Sequence, residues 1–333
     1  MPPIRCIAAA VLALVLMISF TNAAPARGYR HYVIGDITKP TPGVVSGGLL
    51  LMGGSDRNVD SLKWFIEKAG HGHIVILRAS QSTSIADELY RDVGGIASAE
   101  TFVFSNRKAA YDPKVLASLK RADGIFISGG DQARYVKFWK GTPIAKALDA
   151  HVAAGKPIAG TSAGLAIQGE YLYGAMDGGS ITSAEALADP LSPANTIETD
   201  FLHFPLLNGI ITDTHFKERN RLGRLFAFLV KAETLRPNGS SPLIGLGVDE
   251  SAALAAEHDG TARIYATAPD GGAWLVQGGF SVSAHTGAPL TLDRVQVMGV
   301  GLSSRVHLPD GHVENPSFLR YYTVASGQLH EVP

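Results

Sequence analysis

The chain has 333 residues, and its 29 Lys and Arg nearly balance its 30 Asp and Glu, which leaves a net charge of −1. Acidic and basic residues are interspersed without a polybasic tract, so nucleic acid and anionic membranes are poor candidate partners. A chain of this length can bury a large core in one extended α/β domain or in two smaller ones.

The chain begins like a secretory signal peptide. A short basic start at 1–5 precedes the almost unbroken apolar run 6–20, and Ala23 is a small residue suited to signal peptidase. The apolar run is short for a membrane span, which needs about 20 residues. We therefore predict a signal peptide over 1–23 and an exported protein, secreted or periplasmic, with no membrane segment after cleavage. An uncleaved anchor is the alternative.

Cleavage at this site would also remove Cys6, the only cysteine of the chain. The mature protein would then have no disulfide, no zinc–thiolate site and no cysteine nucleophile. Covalent chemistry would have to use Ser, Thr, Lys or a carboxylate. No metal and no other cofactor is expected.

Short apolar runs alternate with amphipathic stretches from residue 46 onward, after a Pro- and Gly-rich segment, 24–45, that we interpret as a leader. The pattern predicts strands at 49–52, 73–77, 101–105, 124–128 and 157–160, and helices at 60–69, 85–91, 113–121 and 144–154. This alternation is typical of a mainly parallel sheet covered by helices on both faces. In such sheets, ligands bind outside the carboxyl ends of the strands.

The second half of the chain becomes β-rich. Strands are predicted at 251–257, 262–267, 274–277 and 290–300, with turns between them. We interpret these strands as a β-rich extension, from about residue 251, of a single α/β domain that spans 46–333.

The motif G-T-S-A-G at 160–164 lies where a predicted strand turns into a helix. Its glycines let the backbone turn tightly, so the hydroxyl of Ser162 stands on the apex, as in a nucleophile elbow. Two N–H groups are candidates for an oxyanion hole, that of Ala163 and that of Gly130 in a glycine pair after another predicted strand. For the glycine pair, an ordinary strand-to-helix turn is the alternative.

A serine hydroxyl is a weak nucleophile, so it needs a base and an acid that orients the base. His215 ends a predicted strand at the same sheet edge as Ser162 and is the candidate base. Asp249 and Glu250 end another predicted strand there. Because neighbouring strand residues point to opposite faces, only one of these two acids is expected to reach the histidine.

The residues described so far are also compatible with two other classes of protein. One is an α/β-hydrolase esterase that uses Ser162, Asp249 and His285 in that order. The other is a non-catalytic binding domain with the same fold. A serine-directed fluorophosphonate would separate them, because the binding domain should not react.

Four ordered motifs together resemble a known family. They are G-G-D-Q at 129–132, G-T-S-A-G at 160–164, D-x-H-F-x-x-R-x-R-x-x-R-L at 213–225 and G-x-G-x-D-E at 245–250. Over residues 46–260 the chain resembles the cyanophycinase branch of a serine peptidase family that also includes aspartyl dipeptidase. The resemblance implies a three-layer α/β/α sandwich like the class I glutamine amidotransferase domain.

The resemblance also implies roles for individual residues. Ser162 matches the nucleophile, His215 the base and Glu250 the acid, and Gln132 matches a residue of the substrate site. The implied reaction is hydrolysis of cyanophycin, multi-L-arginyl-poly-L-aspartate, to β-Asp-Arg dipeptides through an acyl-enzyme. The partner is then a peptide or polymer, and whether the enzyme is a homodimer stays open.

A cyanophycin substrate carries free carboxylates next to the scissile bond, so its site needs a cation. Arg219, Arg221 and Arg224 follow the candidate base within a few residues and are the expected carboxylate ligands, since the guanidinium fork can bind a carboxylate through two hydrogen bonds. Pairing with surface acids such as Glu218 is the alternative for each of them.

The chain departs from the family pattern in one place. Relatives of the cyanophycinase type often have glutamine between the Asp and the His of the third motif, where this chain has Thr214. The dipeptidase branch places its acid shortly after the serine, and Asp177 occupies about that position. We prefer Glu250, because Asp177 lies in a Gly-rich loop without a strand to fix it.

Overall fold

The computed structural model describes residues 27–80, 84–236, 242–278, 280 and 284–333. The predicted signal peptide, 1–23, lies outside these ranges. Within them, no helix has both the length and the apolar character needed to cross a membrane.

The first half of the chain alternates strands and helices. They are β1 (Tyr29–Gly35), β2 (Gly48–Met52), α1 (Val59–Lys68), β3 (His73–Arg78), α2 (Ser84–Asp87), β4 (Ser98–Phe104), α3 (Pro113–Arg121), β5 (Gly124–Ile127), α4 (Gln132–Trp139), α5 (Pro143–Ala153) and β6 (Ile158–Thr161). A π-helical turn, Glu88–Val93, continues α2.

The second half has fewer helices and more strands. They are α6 (Ala163–Ala166), β7 (Leu172–Tyr173), α7 (Ser183–Ala188), β8 (Ile197–Glu198), β9 (Ile210–Asp213), α8 (Leu222–Leu235), β10 (Ile244–Val248), β11 (Ala252–Glu257), β12 (Thr261–Ala266), β13 (Ala273–Gln277), β14 (Leu292–Val300), β15 (Arg305–His307), β16 (His312–Glu314), β17 (Phe318–Ala325) and β18 (Gln328–Val332).

Two large sheets organise the described residues. The larger has the order β1-β4-β3-β5-β6-β2-β11-β12-β15-β16, and its neighbours from β4 to β2 are parallel. The smaller has the order β18-β17-β14-β13-β10-β9, in which only β10 and β9 run parallel. The mainly parallel sheet with helices and the β-rich C-terminal part are therefore confirmed.

Strand residues alternate between two cores, which makes the sheet the middle layer. Leu49 and Leu51 of β2 belong to one buried cluster, which the smaller sheet joins through Leu246. Leu50 of β2 belongs to another cluster on the opposite face, together with Phe65 of α1. A strand buried on both faces reads as a continuous apolar run, which is why 49–52 was readable from the sequence.

The structure corrects the interpretation of 24–45 as a leader. Within it, β1 pairs with β4 in antiparallel register over seven residue pairs, from Tyr29 with Phe104 to Gly35 with Ser98. The Pro- and Gly-rich composition obscured a seven-residue strand rich in Tyr, Val and Ile. The ordered domain therefore includes this edge strand.

The two sheets meet at the carboxyl ends of three strands, β2, β9 and β10. The carbonyl of Gly53, just after β2, accepts a hydrogen bond from the N–H of His215, just after β9, at 2.9 Å. The carbonyl of Gly54 accepts one from Ser251, which lies between β10 and β11, also at 2.9 Å. Main-chain bonds thus fix the loops after β2, β9 and β10 against one another.

Candidate active site

Ser162 lies on a sharp turn between β6 and α6. Its φ of 52° and ψ of −119° fall outside the regions that residues with a Cβ normally adopt. The N–H of Ser162 donates to the carbonyl of Met52 at 3.0 Å, which ties the turn to the end of β2. A Cβ added at Gly164 would lie 2.1 Å from the carbonyl oxygen of Ile127, so only glycine fits where the turn enters α6. This is the geometry of a nucleophile elbow.

His215 approaches the serine from the neighbouring sheet. Its Nε2 lies 2.8 Å from Oγ of Ser162, within hydrogen-bond distance, and the residue is 8% exposed. Its backbone is also left-handed, with a φ of 45°. A Cβ at Gly54 would lie 2.3 Å from Cε1 of the imidazole, so a glycine there makes room for the ring.

Glu250 completes the series of hydrogen bonds. Its Oε1 lies 2.5 Å from Nδ1 of His215, and its own N–H donates to a carboxylate oxygen of Glu218 at 3.0 Å. A carboxylate in this position holds the N–H of the imidazole on Nδ1 and leaves Nε2 free to accept the serine proton.

Asp249 points to the other side of the chain, as the alternation of strand residues predicts. Its carboxylate accepts hydrogen bonds from the N–H of Lys217 at 3.1 Å and from Nε1 of Trp274 at 3.0 Å. Burial raises the pKa of this carboxyl to about 6. Asp249 therefore holds the loops around the site together and does not contact the histidine.

The residues of the two alternative triads lie elsewhere. Asp177 is exposed in the loop between β7 and α7, and His285 is exposed in the segment before β14. The imidazole bonded to Ser162 belongs to His215, and the carboxylate bonded to that imidazole belongs to Glu250.

Burial lowers the pKa of His215, and the nearby charge of Arg219 lowers it further. The hydrogen bond to Glu250 acts in the opposite direction but does not reverse the shift. The lowered pKa favours the neutral imidazole, which is the state that a general base requires.

The glycine pair after β5 lies against the serine. A Cβ at Gly129 would lie 3.2 Å from Cβ of Ser162, and the carbonyl of Gly129 accepts a hydrogen bond from the hydroxyl of Ser80 at 3.4 Å. Gly130 has a φ of +138°, which strains any other residue. Gly130 lines the same pocket as Ser162, and an oxyanion hole formed by the N–H groups of Gly130 and Ala163 stays a prediction.

A pocket of about 290 Å³ opens over the serine and the histidine. It is lined by Ser55, Arg57, Arg78, Ser80, Ser84, Ile85, Gly129, Gly130, Thr161, Ser162 and His215. Two of its wall residues, Arg57 and Arg78, are arginines that the sequence motifs did not indicate. Arg78 ends the apolar strand β3, and a charge at the carboxyl end of a buried strand was the signal that could have found it.

The structure corrects two of the three predicted arginine ligands. Arg224 is 2% exposed, and its guanidinium binds both carboxylate oxygens of Asp213, at 2.8 and 2.5 Å. Arg221 is 8% exposed and donates to the carbonyl of Thr214 at 2.7 Å. Both guanidiniums form hydrogen bonds to the segment that carries His215, and they are not free to bind substrate.

Arg219 and Gln132 have different surroundings. The Arg219 side chain is 52% exposed, and its guanidinium lies 3.8 Å from Glu250. The Gln132 amide donates to the carbonyl of Tyr173 at 3.3 Å. Substrate contact by these two residues stays a prediction. In the described part of the chain, no group of three or more His, Cys, Asp or Glu could hold a metal ion.

The hydroxyl of Ser162 has a base at hydrogen-bond distance, and that base has its own acid, so the protein falls in the class of serine-type hydrolases. Comparison with known proteins narrows this class. The model of peptidase family S51 matches residues 49–263, and the chain belongs to that family.

Individual proteins and one solved structure are similar to the chain. Cyanophycinase from Synechococcus elongatus is 31% identical over 228 residues, which cover 66% of this chain and 65% of that protein. Cyanophycinase from Trichormus variabilis is 27% identical over 290 residues, which cover 80% of this chain and 88% of that protein. The crystal structure of a peptidase from an acI-B1 Actinobacterium matches with a TM-score of 0.49 at 15% identity. The match covers 87% of this chain and 98% of the chain in that structure.

Proposed function

We propose that the protein is an exported serine exopeptidase that hydrolyses cyanophycin to β-Asp-Arg dipeptides through an acyl-enzyme. The observation that carries the proposal is the hydrogen-bond series from Ser162 through His215 to Glu250 at the floor of a pocket with arginines in its wall. The name cyanophycinase, borne by relatives that match 66% and 80% of the chain, supports the choice of substrate.

The geometry supports the following acylation step. Oγ of Ser162 attacks the scissile carbonyl carbon while its proton passes to Nε2 of His215. The negative charge that develops on the carbonyl oxygen is stabilised by the N–H groups of Ala163 and Gly130. Glu250 stabilises the imidazolium while it lasts.

Collapse of the tetrahedral intermediate completes the first half of the reaction. The C–N bond breaks, the imidazolium of His215 gives its proton to the leaving amine, and an ester to Ser162 remains. In the second half, water attacks the ester, and His215 takes a proton from the water and returns it to Oγ of Ser162. A free carboxylic acid leaves, and the enzyme is restored.

Digestion of purified cyanophycin, with mass spectrometry of the products, tests the proposal. We expect β-Asp-Arg as the main product, and a parallel panel of Asp-containing dipeptides should be cleaved poorly. If β-Asp-Arg is absent while short Asp-peptides are cleaved readily, the protein is an aspartyl dipeptidase-like peptidase and not a cyanophycinase.

A further inference from the structure

Arg78 is a buried cation without an anionic partner. It is 7% exposed at the end of β3, and its guanidinium donates to the carbonyl and the hydroxyl of Ser80, at 2.8 and 3.2 Å. Every Asp and Glu of the chain lies within the described ranges, and none of them forms an ion pair with Arg78. Among the described residues, its guanidinium donates to neutral oxygens only.

The other buried arginines in the described part of the chain are compensated. Arg221 and Arg224 both face the carboxylate of Asp213, at 3.6 and 2.5 Å. Burying a charge is costly unless a partner of opposite charge offsets the loss of water. A folded protein therefore rarely keeps a cation such as Arg78 in its interior unless something outside the chain supplies the anion.

The neighbouring cation does not relieve this imbalance. Arg57, also in the pocket wall, is already paired with Glu88, its Nε lying 2.6 Å from the carboxylate. Its positive charge acts with burial to lower the pKa of Arg78. The pocket wall thus contains one guanidinium that is paired with a carboxylate, that of Arg57, and one that forms no ion pair with a described residue, that of Arg78.

Arg78 lies close to the place where the scissile bond of a substrate would react with Ser162. Arg78 lines the same pocket as Ser162, and Ser80 links the two, because its hydroxyl accepts from Arg78 and donates to the carbonyl of Gly129. Gly129 in turn lies against Ser162. A substrate whose scissile carbonyl lies over Ser162 would therefore place its flanking groups beside the guanidinium.

We infer that Arg78 binds a carboxylate of the substrate that flanks the scissile bond, and so selects acidic β-aspartyl substrates over neutral ones. The identity of that carboxylate, the α-carboxylate of an arginine in a β-Asp-Arg unit, rests on the proposed function. The planar guanidinium suits this role, because two of its N–H groups can bind one carboxylate.

Binding to a Ser162→Ala variant tests the inference without turnover. The two ligands are (β-Asp-Arg)₂ with free arginine carboxylates and the same compound with both converted to carboxamides. By calorimetry we expect the acid to bind about 10–100-fold more tightly, as for a hydrogen bond to a charged group. In Arg78→Met on the same background, that preference should disappear.

Arg134→Met is the matched control. Arg134 donates to the carbonyl of Ala79, next to Arg78 in the chain, but its side chain is 55% exposed and is not part of the pocket wall. Arg134→Met removes a positive charge, as Arg78→Met does, and should leave the preference for the acid over the carboxamide intact. An equal loss in both variants would indicate a general electrostatic effect and would overturn the inference.

Thermal unfolding provides a second readout. Because Arg78→Met removes an uncompensated buried charge, its Tm should equal or exceed that of the parent. A lower Tm, or a preference for the acid that survives the substitution, would assign Arg78 a structural role. Equal binding of acid and carboxamide by the parent would also overturn the inference.

Aspartyl dipeptides and their C-terminal carboxamides separate this inference from the proposed function. If they bind with a preference for the acid that Arg78→Met removes, while (β-Asp-Arg)₂ does not bind, the role of Arg78 stands and the cyanophycin assignment fails. If neither pair binds with such a preference, the inference fails even when cyanophycin is hydrolysed.

Discussion

At the scale of single residues, the nucleophile and the base both have strained backbone conformations. Ser162 and His215 both have positive φ, at 52° and 45°, and neither is a glycine. Such conformations persist only where the surrounding structure enforces them, and they cluster at functional sites. Here main-chain hydrogen bonds hold the two residues, from the N–H of Ser162 to the carbonyl of Met52 and from the N–H of His215 to the carbonyl of Gly53.

Removal of the nucleophile tests the first of these residues. Ser162→Ala should leave the protein folded, because it removes one hydroxyl from a turn, but should lower kcat by on the order of 10⁶, as in the subtilisin precedent. His215→Ala should fall about as far, because nucleophile and base act as a unit. Cyanophycin turnover and circular dichroism are the measurements. Substantial turnover by Ser162→Ala would contradict the assignment of Ser162 as the nucleophile.

The two adjacent acids should separate catalysis from stability. Glu250→Gln removes the charge that stabilises the imidazolium, and kcat should fall on the order of 10⁴, as for the equivalent change in the chymotrypsin triad. Asp249→Asn should lower Tm, because the new amide cannot accept every hydrogen bond of the carboxylate, and should affect kcat less. If Asp249→Asn had the larger effect on kcat, the assignment of the acid would move by one residue.

The pKa of His215 gives a pH prediction. The base must be neutral, so kcat/KM should fall as the pH drops through a pKa that burial and Arg219 hold below the ordinary value of 6.5. Arg219→Gln removes one cause of that shift, so the acid limb should move to higher pH. Arg320→Gln on β17 is the control and should leave the limb unchanged. An unchanged limb in Arg219→Gln, with KM raised, would favour the predicted substrate role for Arg219 instead.

At the scale of elements, α8 is tied to the strand that carries the base. Arg224 of α8 binds Asp213 at the end of β9 and lies beside the stacked rings of Tyr173 and Phe228, 5.6 and 5.4 Å from their centroids. Its guanidinium also donates to the carbonyl of Ile181 at 3.1 Å. The Arg224 side chain thus connects β7, the loop before α7, β9 and α8. Its partner Asp213 lies two residues before His215 in the chain.

Loss of this connection should appear as instability. Arg224→Met leaves the carboxylate of Asp213 buried without its closest partner and should cost about 3–5 kcal/mol, measured by chemical denaturation. The double variant Asp213→Asn/Arg224→Met should recover much of that loss. A substrate-binding role would instead raise KM and leave the denaturation midpoint unchanged.

At the scale of the whole molecule, the site belongs to neither sheet alone. The larger sheet supplies Ser162 and Arg78, at the ends of β6 and β3, and the smaller sheet supplies His215 and Glu250, after β9 and β10. The apolar cluster shared by the two sheets and the main-chain bonds at Gly53 and Gly54 hold them in register. The reaction therefore depends on how the two halves of the chain dock.

Export is the prediction for the whole chain. An extracellular polymer that cannot be imported whole must be met by an enzyme outside the cytoplasm, and the basic start and apolar run of 1–20 match a secretory signal. N-terminal sequencing of the protein from its native host should find a chain that begins close to residue 24. A mature chain that still begins at Met1 would contradict this prediction.

The sequence by itself determined the strands that are buried on both faces and the chemistry at their ends. Apolar runs such as 49–52 and 124–127 indicated buried strands because they are short and have glycines at their ends, and the serine between glycines could be recognised because the turn it needs is local. The rule that parallel strands end together predicted one sheet edge for Ser162, His215 and Glu250. The structure corrects this prediction, because β9 and β10 belong to the smaller sheet and β6 to the larger one.

The tertiary structure decided which charged side chains line the pocket over Ser162. Arg219, Arg221 and Arg224 are near in sequence to the base, but helix packing turns the last two into the core, where Asp213 holds them. Arg78 is far from Ser162 in the chain and reaches the same pocket only because β3 and β6 flank β5. Burial and pairing of a charge depend on contacts between distant segments, and local sequence patterns do not contain that information.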